Sequence, residues 1–306
     1  MNLRQLSCFV AVAEEGSFTR AAERIGIAQP SLSQQVRGLE AELGGLLLER
    51  LARGIVLTPA GRSFLPEAQA AIRAAERAER SARAALGLSA GELAVAAVRS
   101  IAVGILPEPL RVWHERYPDV TIRLHEYRNK RVLEDDVRRG TGDIAVGPRP
   151  ADWTGPIVPL GWEQFVIVLP ATDALAGRDT LRLRELADRS WVLFESDFGL
   201  AEVVAGACAR AGFQPRAAVR TAQSEAAARL AAAGLGPAMV PDNILPPGLA
   251  ASVSRLDPPV SRELVAYTRS EWSPAARTFL EVLRAGTSRW SAAPPETKRA
   301  GAAKPA

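Results

Sequence analysis

The sequence predicts an α/β protein made of a winged helix-turn-helix, a long helix and two similar α/β lobes, in that order. Three observations predict this fold class. Three short amphipathic segments and two short apolar runs at the N-terminus give the helix and strand order of a winged helix-turn-helix. A long segment with an apolar seam comes next, and beyond it strand patterns alternate with helical patterns, as in α/β domains.

Apolar residues in the first three segments recur at the spacing of one helix face. These faces comprise Leu3, Leu6, Val10 and Ala13, then Ala21, Ala22 and Ile25, then Leu32, Val36, Leu39 and Leu43. Glycine, which commonly ends helices, follows each segment, at Gly16, Gly26 and Gly44. Ser17 or Thr19 can cap the second helix, and Pro30 suits the start of the third. The sequence therefore predicts three short helices joined by tight turns.

Two strands and a long helix are expected next. Leu46 to Leu48 and Ile55 to Leu57 predict a two-stranded wing about a turn at Arg53-Gly54. Thr58-Pro59 opens a helix whose apolar seam has a spacing close to that of a coiled coil. The seam consists of Phe64, Ala68, Ile72, Ala75, Glu79, Ala82 and Leu86. An isolated alanine-rich linker is the simpler interpretation, but pairing into a homodimer explains such a long arm better.

Beyond Ser89 the pattern is α/β. A strand is expected over Glu92 to Val98, a helix over Ile105 to Arg116 and a strand over Val120 to Glu126. Val120 to Gly147 and Ala217 to Pro241 share the order strand, helix, glycine-rich turn and strand, which indicates two similar lobes. Residues 291–306 lack an apolar period and are expected to be disordered.

Composition excludes several classes of protein. The 306 residues carry a net charge of only +4, and the pI near 9.5 is a weak indication of nucleic acid binding. Only Cys8 and Cys208 are present, too few for a disulfide framework, and His114 and His125 form no ligand cluster. We therefore expect no metal and no other cofactor. No apolar run approaches a membrane span, so a cytoplasmic location is expected.

The third helix has the residues that reading DNA requires. A recognition helix projects polar side chains into the major groove while its other face packs on the protein. Candidate DNA contacts within the motif from Phe18 to Arg37 are Gln29, Pro30, Ser31, Ser33, Gln34 and Arg37, with Gln35 beside them. Glutamine can bond adenine bidentately, and serines and the helix N-terminus suit phosphates. An ordinary amphipathic surface helix is the alternative, which the neighbouring helix and wing disfavour. Arg53 is expected at the wing tip, in contact with the minor groove or phosphates.

These residues match a known family. Met1 to Pro66 closely resembles the N-terminal domain of LysR-type transcriptional regulators. The matching stretches are Phe9 to Ala13, Gly16 to Ala22, Ala28 to Val36, Leu39-Glu40, Leu43-Gly44 and Leu57 to Gly61. The resemblance implies a recognition helix from near Gln29 and a linker helix that dimerises. Gln34 stands where many members have arginine and Leu48 where phenylalanine is usual, while Gly38 weakens the helix by about 1 kcal/mol relative to alanine.

The rest of the chain also resembles this family, whose sensing module is similar to periplasmic binding proteins. The resemblance implies a winged helix-turn-helix over 1–58, a linker helix over 59–88 and an effector-binding domain over 89–290. Lobe one would comprise about 91–167 and 268–290, and lobe two about 168–267. The same resemblance implies a homotetramer in many members, contact with RNA polymerase and no membrane partner.

A small-molecule effector is expected between the lobes, because open α/β sheets bind ligands beyond the carboxyl ends of their strands. Candidate turn residues are Arg99, Ser100, Arg128, Asn129, Arg149, Ser196, Asp197, Gln223 and Ser224. Ser100 and Asn129 match family effector positions best. Ser100 is expected to face the ligand from the start of the helix over Ile105 to Arg116. The arginines favour an anion such as a carboxylate, although solvated arginines or salt bridges explain them equally well.

The sequence disfavours two other classes of protein. An α/β enzyme would need a catalytic or cofactor motif, and the chain has no Gly-x-Ser-x-Gly elbow, phosphate loop or dinucleotide fingerprint. No catalytic residue is therefore expected. An exported solute-binding protein would need a signal peptide, which the N-terminal sequence does not resemble. A DNA-binding regulator that responds to an effector remains the predicted function.

Overall fold

A computed structural model describes residues 1–51, 54–85 and 91–286 of the chain. They form two compact units, one of Met1–Gly91 with Arg138–Thr141 and one of the remaining residues. The elements of the N-terminal unit are α1 (Leu3–Glu15), α2 (Phe18–Ile25), α3 (Gln29–Leu43), β1 (Leu48–Leu51), β2 (Gly54–Leu57) and α4 (Pro59–Ala85). This order is that of a winged helix-turn-helix followed by a long helix.

Local capping explains where the first helices begin and end. Asn2 accepts the backbone N–H of Gln5 at the start of α1, and Ser17 accepts that of Arg20 at the start of α2. Gly16 and Gly26 end these helices in the left-handed conformation, which glycine adopts without strain. The predicted stops of α1 and α2 and the predicted cap of α2 at Ser17 are confirmed, whereas the Asn2 cap of α1 was not predicted.

The wing begins later than predicted. β1 starts at Leu48, where the predicted strand ended, because side chains occupy the backbone groups of the two preceding residues. Glu40 accepts the backbone N–H of Leu47 at 2.9 Å, and Thr58 donates to the carbonyl of Leu46 at 2.7 Å. Thr58 also accepts the N–H of Gly61 and so caps α4. Residues 46 and 47 therefore join α3 to the wing rather than lying in it.

The long helix uses part of its apolar seam within the chain. Ala68 is buried, and Phe64 and Ile72 pack against the same core. The ring of Phe64 makes an edge contact with Phe9 of α1, with centroids 5.4 Å apart. Phe64 and Ile72 are thus half-buried against the chain's own core, and the rest of their surface is left for the expected partner helix. Leu86 lies outside the described residues.

The second unit contains the two lobes. Its first part comprises β3 (Glu92–Val98), α5 (Arg99–Gly104), α6 (Pro107–Arg116), β4 (Thr121–Tyr127), α7 (Lys130–Arg138), β5 (Ile144–Pro148) and β6 (Ile157–Pro170). Its second part comprises β7 (Thr180–Leu181), β8 (Ser190–Phe194), α8 (Gly199–Arg210), β9 (Arg216–Thr221), α9 (Ser224–Ala232), β10 (Ala238–Pro241), β11 (Ala251–Leu256), β12 (Ser261–Tyr267) and α10 (Pro274–Ala285). Short 3-10 turns cover Leu183–Leu186 and Asp242–Ile244.

One strand runs through both lobes. The main sheet has the order β4-β3-β5-β12-β6-β11-β7, with β10 also paired to β6, and β8 pairs with β9 separately. The first half of β6 pairs with β12 and its second half, from Phe165 on, with β10 and β11. Each lobe has its own core, centred on Trp113 and Phe279 in lobe one and on Trp191 in lobe two. The predicted two-lobed architecture is confirmed.

Two boundaries differ from those expected. The return to lobe one was expected from about residue 268, and Leu264 to Tyr267 of β12 already pair with β5. The helix expected over Ile105 to Arg116 begins two residues later, at Pro107, and the sequence did not predict the separate short helix α5 that ends at Gly104. Proline has no N–H with which to continue a helix, so it starts a new one.

The internal repeat is confirmed as an order of elements. β4, α7 and β5 of lobe one correspond to β9, α9 and β10 of lobe two. The segment expected to be disordered, 291–306, lies outside the described residues. Within the described ranges no helix combines the length and the apolar character needed to cross a bilayer.

Candidate functional site

The outward face of α3 carries most of the predicted DNA contacts. Gln29, Pro30, Gln34 and Arg37 are exposed, and Ser31 is half-buried. Arg37 forms neither an ion pair nor a hydrogen bond with any residue the structure describes. The opposite face, formed by Leu32, Val36 and Leu39, is buried in the core of the N-terminal unit. α3 therefore separates a packed face from a polar face with unengaged side chains.

Ser33 departs from the prediction. It is only 6% exposed, because it precedes Val36 by three residues and so shares the buried side of the helix. The prediction that Ser33 lies on the outward face is wrong, and it leaves the set of DNA-contacting candidates. Arg53, expected at the wing tip, lies outside the described residues.

The start of α3 differs from those of the neighbouring helices. Asn2, Ser17 and Thr58 cap α1, α2 and α4 with side-chain hydrogen bonds. α3 follows Ala28 and has no side-chain cap. Its first-turn N–H groups thus remain open at the end of the helix that carries the positive partial charge, which is where phosphate oxygens bind best.

A second candidate site is a cavity of about 450 Å³ between the two lobes. It lies at the carboxyl ends of β3, β4 and β8, as open α/β sheets favour. Six of the nine predicted effector residues line it. They are Arg99, Ser100, Arg128, Asn129, Ser196 and Asp197. The chain segments that meet here are far apart in sequence.

Hydrogen bonds join the lobes at one end of the cavity. Arg128 donates from Nη2 to Oδ1 of Asp197 at 2.9 Å, and its carbonyl accepts the N–H of Gly199 at 2.8 Å. Asn129 donates from Nδ2 to the carbonyl of Asp197 at 3.0 Å and accepts the N–H of Val132 at the start of α7. Asn129 therefore links the two lobes as well as lining the cavity.

The other three predicted residues do not line the cavity. Arg149 pairs with Glu263 on β12, and the hydrogen bonds of this pair raise the pKa of Arg149 and lower that of Glu263. Gln223 precedes α9 and donates its backbone N–H to Thr221. Ser224 is buried in the first turn of α9. For Arg128 and Arg149, salt bridging was the correct interpretation.

Arg262 is the cavity residue that sequence analysis missed. It lines the floor of the cleft, and Nη2 donates to Oγ of Ser100 at 3.0 Å. Nη1 of Arg262 bonds no described residue. Because Oγ of Ser100 accepts from Arg262, the hydroxyl proton of Ser100 is left to point elsewhere. Ser100 and Arg262 together present N–H and O–H donors to a ligand. The two residues are 162 positions apart, so no local pattern signals their pairing.

The charge of the cleft is unbalanced. Its cationic lining residues are Arg99, Arg128, Lys130, Arg131 and Arg262, and its acidic ones are Asp197 and Glu202. Arg99 has no ion-pair or hydrogen-bond partner among the residues described. Val132, Leu200 and Val203 add an apolar wall. Donors with an excess of positive charge beside apolar side chains suit a small organic anion.

Thiols and metal ligands are not gathered into a site. Cys8 and Cys208 are both buried, and burial raises the pKa of each thiol, that of Cys208 to about 11. Among the described residues no three His, Cys, Asp or Glu side chains are placed to hold a metal ion.

Comparison with known proteins agrees with this geometry. Residues 3–62 match the bacterial regulatory helix-turn-helix proteins of the lysR family, and residues 86–288 match the LysR substrate binding domain. The chain is 34% identical over 253 residues to a probable hydrogen peroxide-inducible genes activator of Mycobacterium avium, covering 82% of this chain and 80% of the relative. It is 34% identical over 295 residues to the regulator BudR of Raoultella terrigena, covering 92% and 100%. Full-length CbnR in complex with target DNA superposes with a TM-score of 0.72 and 29% identity, covering 94% of this chain and 100% of CbnR.

Proposed function

The chain belongs to the LysR family of bacterial transcriptional regulators, and on that premise we propose that it responds at its promoter to a small carboxylate bound between the lobes. One observation carries the proposal: the cleft presents the guanidinium of Arg262 and the hydroxyl of Ser100 side by side, within a lining richer in cations than in acids. Charge-assisted hydrogen bonds of this kind are about twice as strong as neutral ones, which favours a carboxylate over an uncharged analogue.

DNA recognition is assigned to the outward face of α3. We assign Gln34 and Gln29 to adenine edges and Arg37 to guanine or a phosphate, because all three are exposed and these residue types make such bonds. Ser31, Pro30 and the uncapped first turn of α3 lie where a phosphate would fix the helix in the groove. Arg53 retains its expected role at the wing tip. CbnR, with which this chain shares its fold, is described in complex with target DNA.

Self-association is proposed through α4. Its exposed side includes Ala71, Ala74 and Ala78, spaced to form one stripe. A shallow depression of about 420 Å³ beside it is lined by Leu43, Gly45, Leu47, Ala60, Ser63, Phe64 and Glu67. A second copy of the chain, with the same stripe, would cover this surface. Pairing of dimers into a tetramer, contact with RNA polymerase and a cytoplasmic location are proposed from family membership.

A peroxide response is a second candidate, because the relative from M. avium is described as a probable activator of hydrogen peroxide-inducible genes. Peroxide oxidises the thiolate form of accessible cysteines. Burial of Cys8 and Cys208 hinders access, and their raised pKa values keep both protonated at neutral pH. The structure therefore favours a bound carboxylate over thiol oxidation as the signal.

The proposal is tested in two steps. Genomic fragments retained by the full chain are sequenced, and we expect enrichment of a site with two half-sites about one helical turn or a multiple apart. Thermal unfolding is then compared in hexanoate and in hexanamide, which has the same apolar tail without the charge. A ligand that binds only the folded chain raises its melting temperature in proportion to occupancy, so hexanoate should stabilise the chain more than hexanamide does.

Ser100→Ala is the informative variant. It should remove most of the stabilisation by hexanoate, while the melting temperature without ligand and the affinity for DNA stay close to those of the parent. Ser224→Ala is the matched control, because Ser224 is also buried in the first turn of a helix yet lines no part of the cleft. Equal stabilisation by both compounds in the parent chain would contradict a carboxylate effector.

A further inference from the structure

A buried carboxylate lies beneath the floor of the cleft. The side chain of Glu163, on β6, is 0% exposed. Its Oε2 accepts a hydrogen bond from Nε of Arg262 at 2.5 Å. The side chain of Arg262 is itself only 13% exposed, and its Cζ lies 5.6 Å from the centroid of the Phe165 ring. The orientation of Arg262 is thus fixed from behind by Glu163 and from the side by Phe165.

Burial of this ion pair needs an explanation beyond stability. Removing two charges from water costs several kcal/mol per ion, which their mutual attraction repays only with good geometry and further hydrogen bonds. Hydrophobic residues of similar volume commonly replace such pairs without loss of stability. The Glu163–Arg262 pair is therefore better explained by its effect on how Arg262 faces the cleft.

The same carboxylate is held from the other lobe. Nδ2 of Asn243, in the 3-10 turn Asp242–Ile244 of lobe two, donates to Oε1 of Glu163 at 2.9 Å. Oδ1 of Asn243 is buried and has no hydrogen-bond partner among the residues that the structure describes. It packs against Gly104 of α5, where an added Cβ would lie 2.2 Å from it. Asn243 is therefore confined between Glu163 and α5.

These contacts form a closed circuit around α5. Ser100 lies in its first turn and accepts from Arg262, and Gly104 at its other end packs on Asn243. Arg262 and Asn243 both bond Glu163. A shift of lobe two at Asn243 changes the hydrogen bonding of Glu163, and hence how strongly this carboxylate attracts Arg262.

We propose that Glu163 and Asn243 are positioning residues that set the affinity of the cleft for anions. This inference rests on the proposed function, in which Arg262 binds a carboxylate. Glu163 holds the guanidinium in place but also neutralises part of its charge, so an effector carboxylate competes with Glu163 for the same cation. The N–H of Asn243 stabilises Glu163 and so weakens its hold on Arg262. The position of lobe two and the affinity for the effector are therefore linked through Glu163. A change in lobe position alters effector affinity, and effector binding alters the preferred lobe position.

The two residues are expected to act with opposite signs. In Glu163→Gln the side-chain carbonyl still accepts a hydrogen bond from Nε of Arg262, and Asn243 turns its amide so that Oδ1 accepts from the new NH2 group. The competing charge is gone. We expect the affinity for hexanoate, measured by calorimetry on the full chain, to rise by about tenfold because an opposite charge no longer screens Arg262. In Asn243→Ala Glu163 loses its other partner and attracts Arg262 more strongly. The affinity for hexanoate should fall severalfold.

Hexanamide separates positioning from a general structural effect. Its affinity should stay within about twofold in both variants, because an uncharged ligand does not compete with Glu163. A distorted cleft would instead weaken both ligands together. Glu263→Gln is the matched control. Glu263 also lies on a strand of lobe one and also pairs with an arginine, Arg149, but neither residue lines the cleft. It should change neither affinity.

The outcomes are distinguishable. If the parent chain binds hexanoate no better than hexanamide, the proposed function fails and this inference falls with it. If the parent discriminates but Glu163→Gln binds hexanoate equally or more weakly, the inference alone is overturned. Should Glu163→Gln fail to fold, as circular dichroism would show, Asn243→Ala decides: a selective loss of hexanoate binding supports the inference, and unchanged binding overturns it.

Discussion

The polar face of α3 and the cleft between the lobes are built in different ways. On α3 the exposed side chains Gln29, Gln34 and Arg37 belong to one helix whose other face is buried. In the cleft, Ser100 and Asn129 follow two different strands and Arg262 lies in a third, and all three already bond protein groups. On α3, the residues that stabilise the fold therefore differ from those that contact DNA. In the cleft, the same residues stabilise the fold and face the ligand.

This difference has a consequence for substitutions. Where a side chain is exposed and unengaged, its removal changes binding and leaves stability nearly untouched. Where a side chain bonds a buried partner, its removal also leaves that partner unsatisfied, at a cost of about 1–3 kcal/mol. Variants of α3 should thus separate affinity from stability. Variants of the cleft should change both only where the partner left behind is cut off from solvent, which is not the case for Nη2 of Arg262 beside Ser100 or for Arg128 beside Asp197.

The largest effect is expected from the buried face of α3. Leu32→Ala removes a fully buried side chain from the core of the N-terminal unit and should lower its free energy of unfolding by about 2–5 kcal/mol. The variant should lose promoter binding on heating well before the parent does. Denaturant unfolding of the full chain measures the change, and a loss below 1 kcal/mol would show that the site collapses around the cavity.

Gln34 lies two positions from Leu32, on the polar face of α3, and its substitution should change DNA recognition rather than stability. Gln34→Ala should reduce discrimination at one base pair by about 1–3 kcal/mol, because one bidentate contact is lost. Non-specific affinity and melting temperature should not change, since Gln34 is exposed. Titrations of operator and scrambled DNA at matched salt check this. Equal weakening on both DNAs would assign Gln34 to a phosphate instead of a base.

Sequence reasoning succeeded where the chain's periodicity is local. The faces of α1 to α3, the glycine stops and the strand β3 follow from spacing within one segment. It failed for Ser33 by a narrow margin, because a residue beside an apolar stripe can lie on either side of it. It also missed the short helix α5 and placed the start of α6 two residues early, although proline at 107 signals the start of a helix.

The cleft was predictable only in outline. Strand ends identify turn residues, and six of those proposed do line the cavity. Arg262 and Glu163 lie within strands, where side chains alternate between faces and no local signal marks the one facing a ligand. Their hydrogen bonds span 162 and 99 positions, so the fold itself had to be known before they could be paired.

A third prediction concerns the backbone of α3. Gly38→Ala should stabilise the N-terminal unit by up to about 1 kcal/mol, since Gly38 is exposed in a helix and alanine favours that conformation. The added Cβ meets only the end of the Gln5 side chain, 3.3 Å away, which can move. Gly44→Ala, at a left-handed helix end with φ of +73°, is the contrasting control and should destabilise. Thermal unfolding compares the two, and destabilisation by both would show that Gln5 cannot yield.

The smallest effect on stability is expected at the rim of the cleft, where the side chains are exposed as they are on the polar face of α3. Asp197 and Arg128 form an ion pair across the lobes, but their side chains are 57% and 43% exposed. Exposed pairs contribute about 0.2–1 kcal/mol, so Asp197→Asn should hardly change the melting temperature. The bond from Asn129 to residue 197 also survives, because it ends on the backbone carbonyl.

Binding should nevertheless respond to this substitution. Asp197 is one of two acids that line the cavity, and its loss frees Arg128 to face the ligand. We expect Asp197→Asn to bind hexanoate about two- to fivefold more tightly at low salt, with the gain disappearing at high salt because exposed charges are screened. Asp119→Asn, an exposed acid outside the cavity, should show no gain. A gain that persists at high salt would mean that the rim is shielded from solvent and that the cleft, even at its edge, behaves as a buried site.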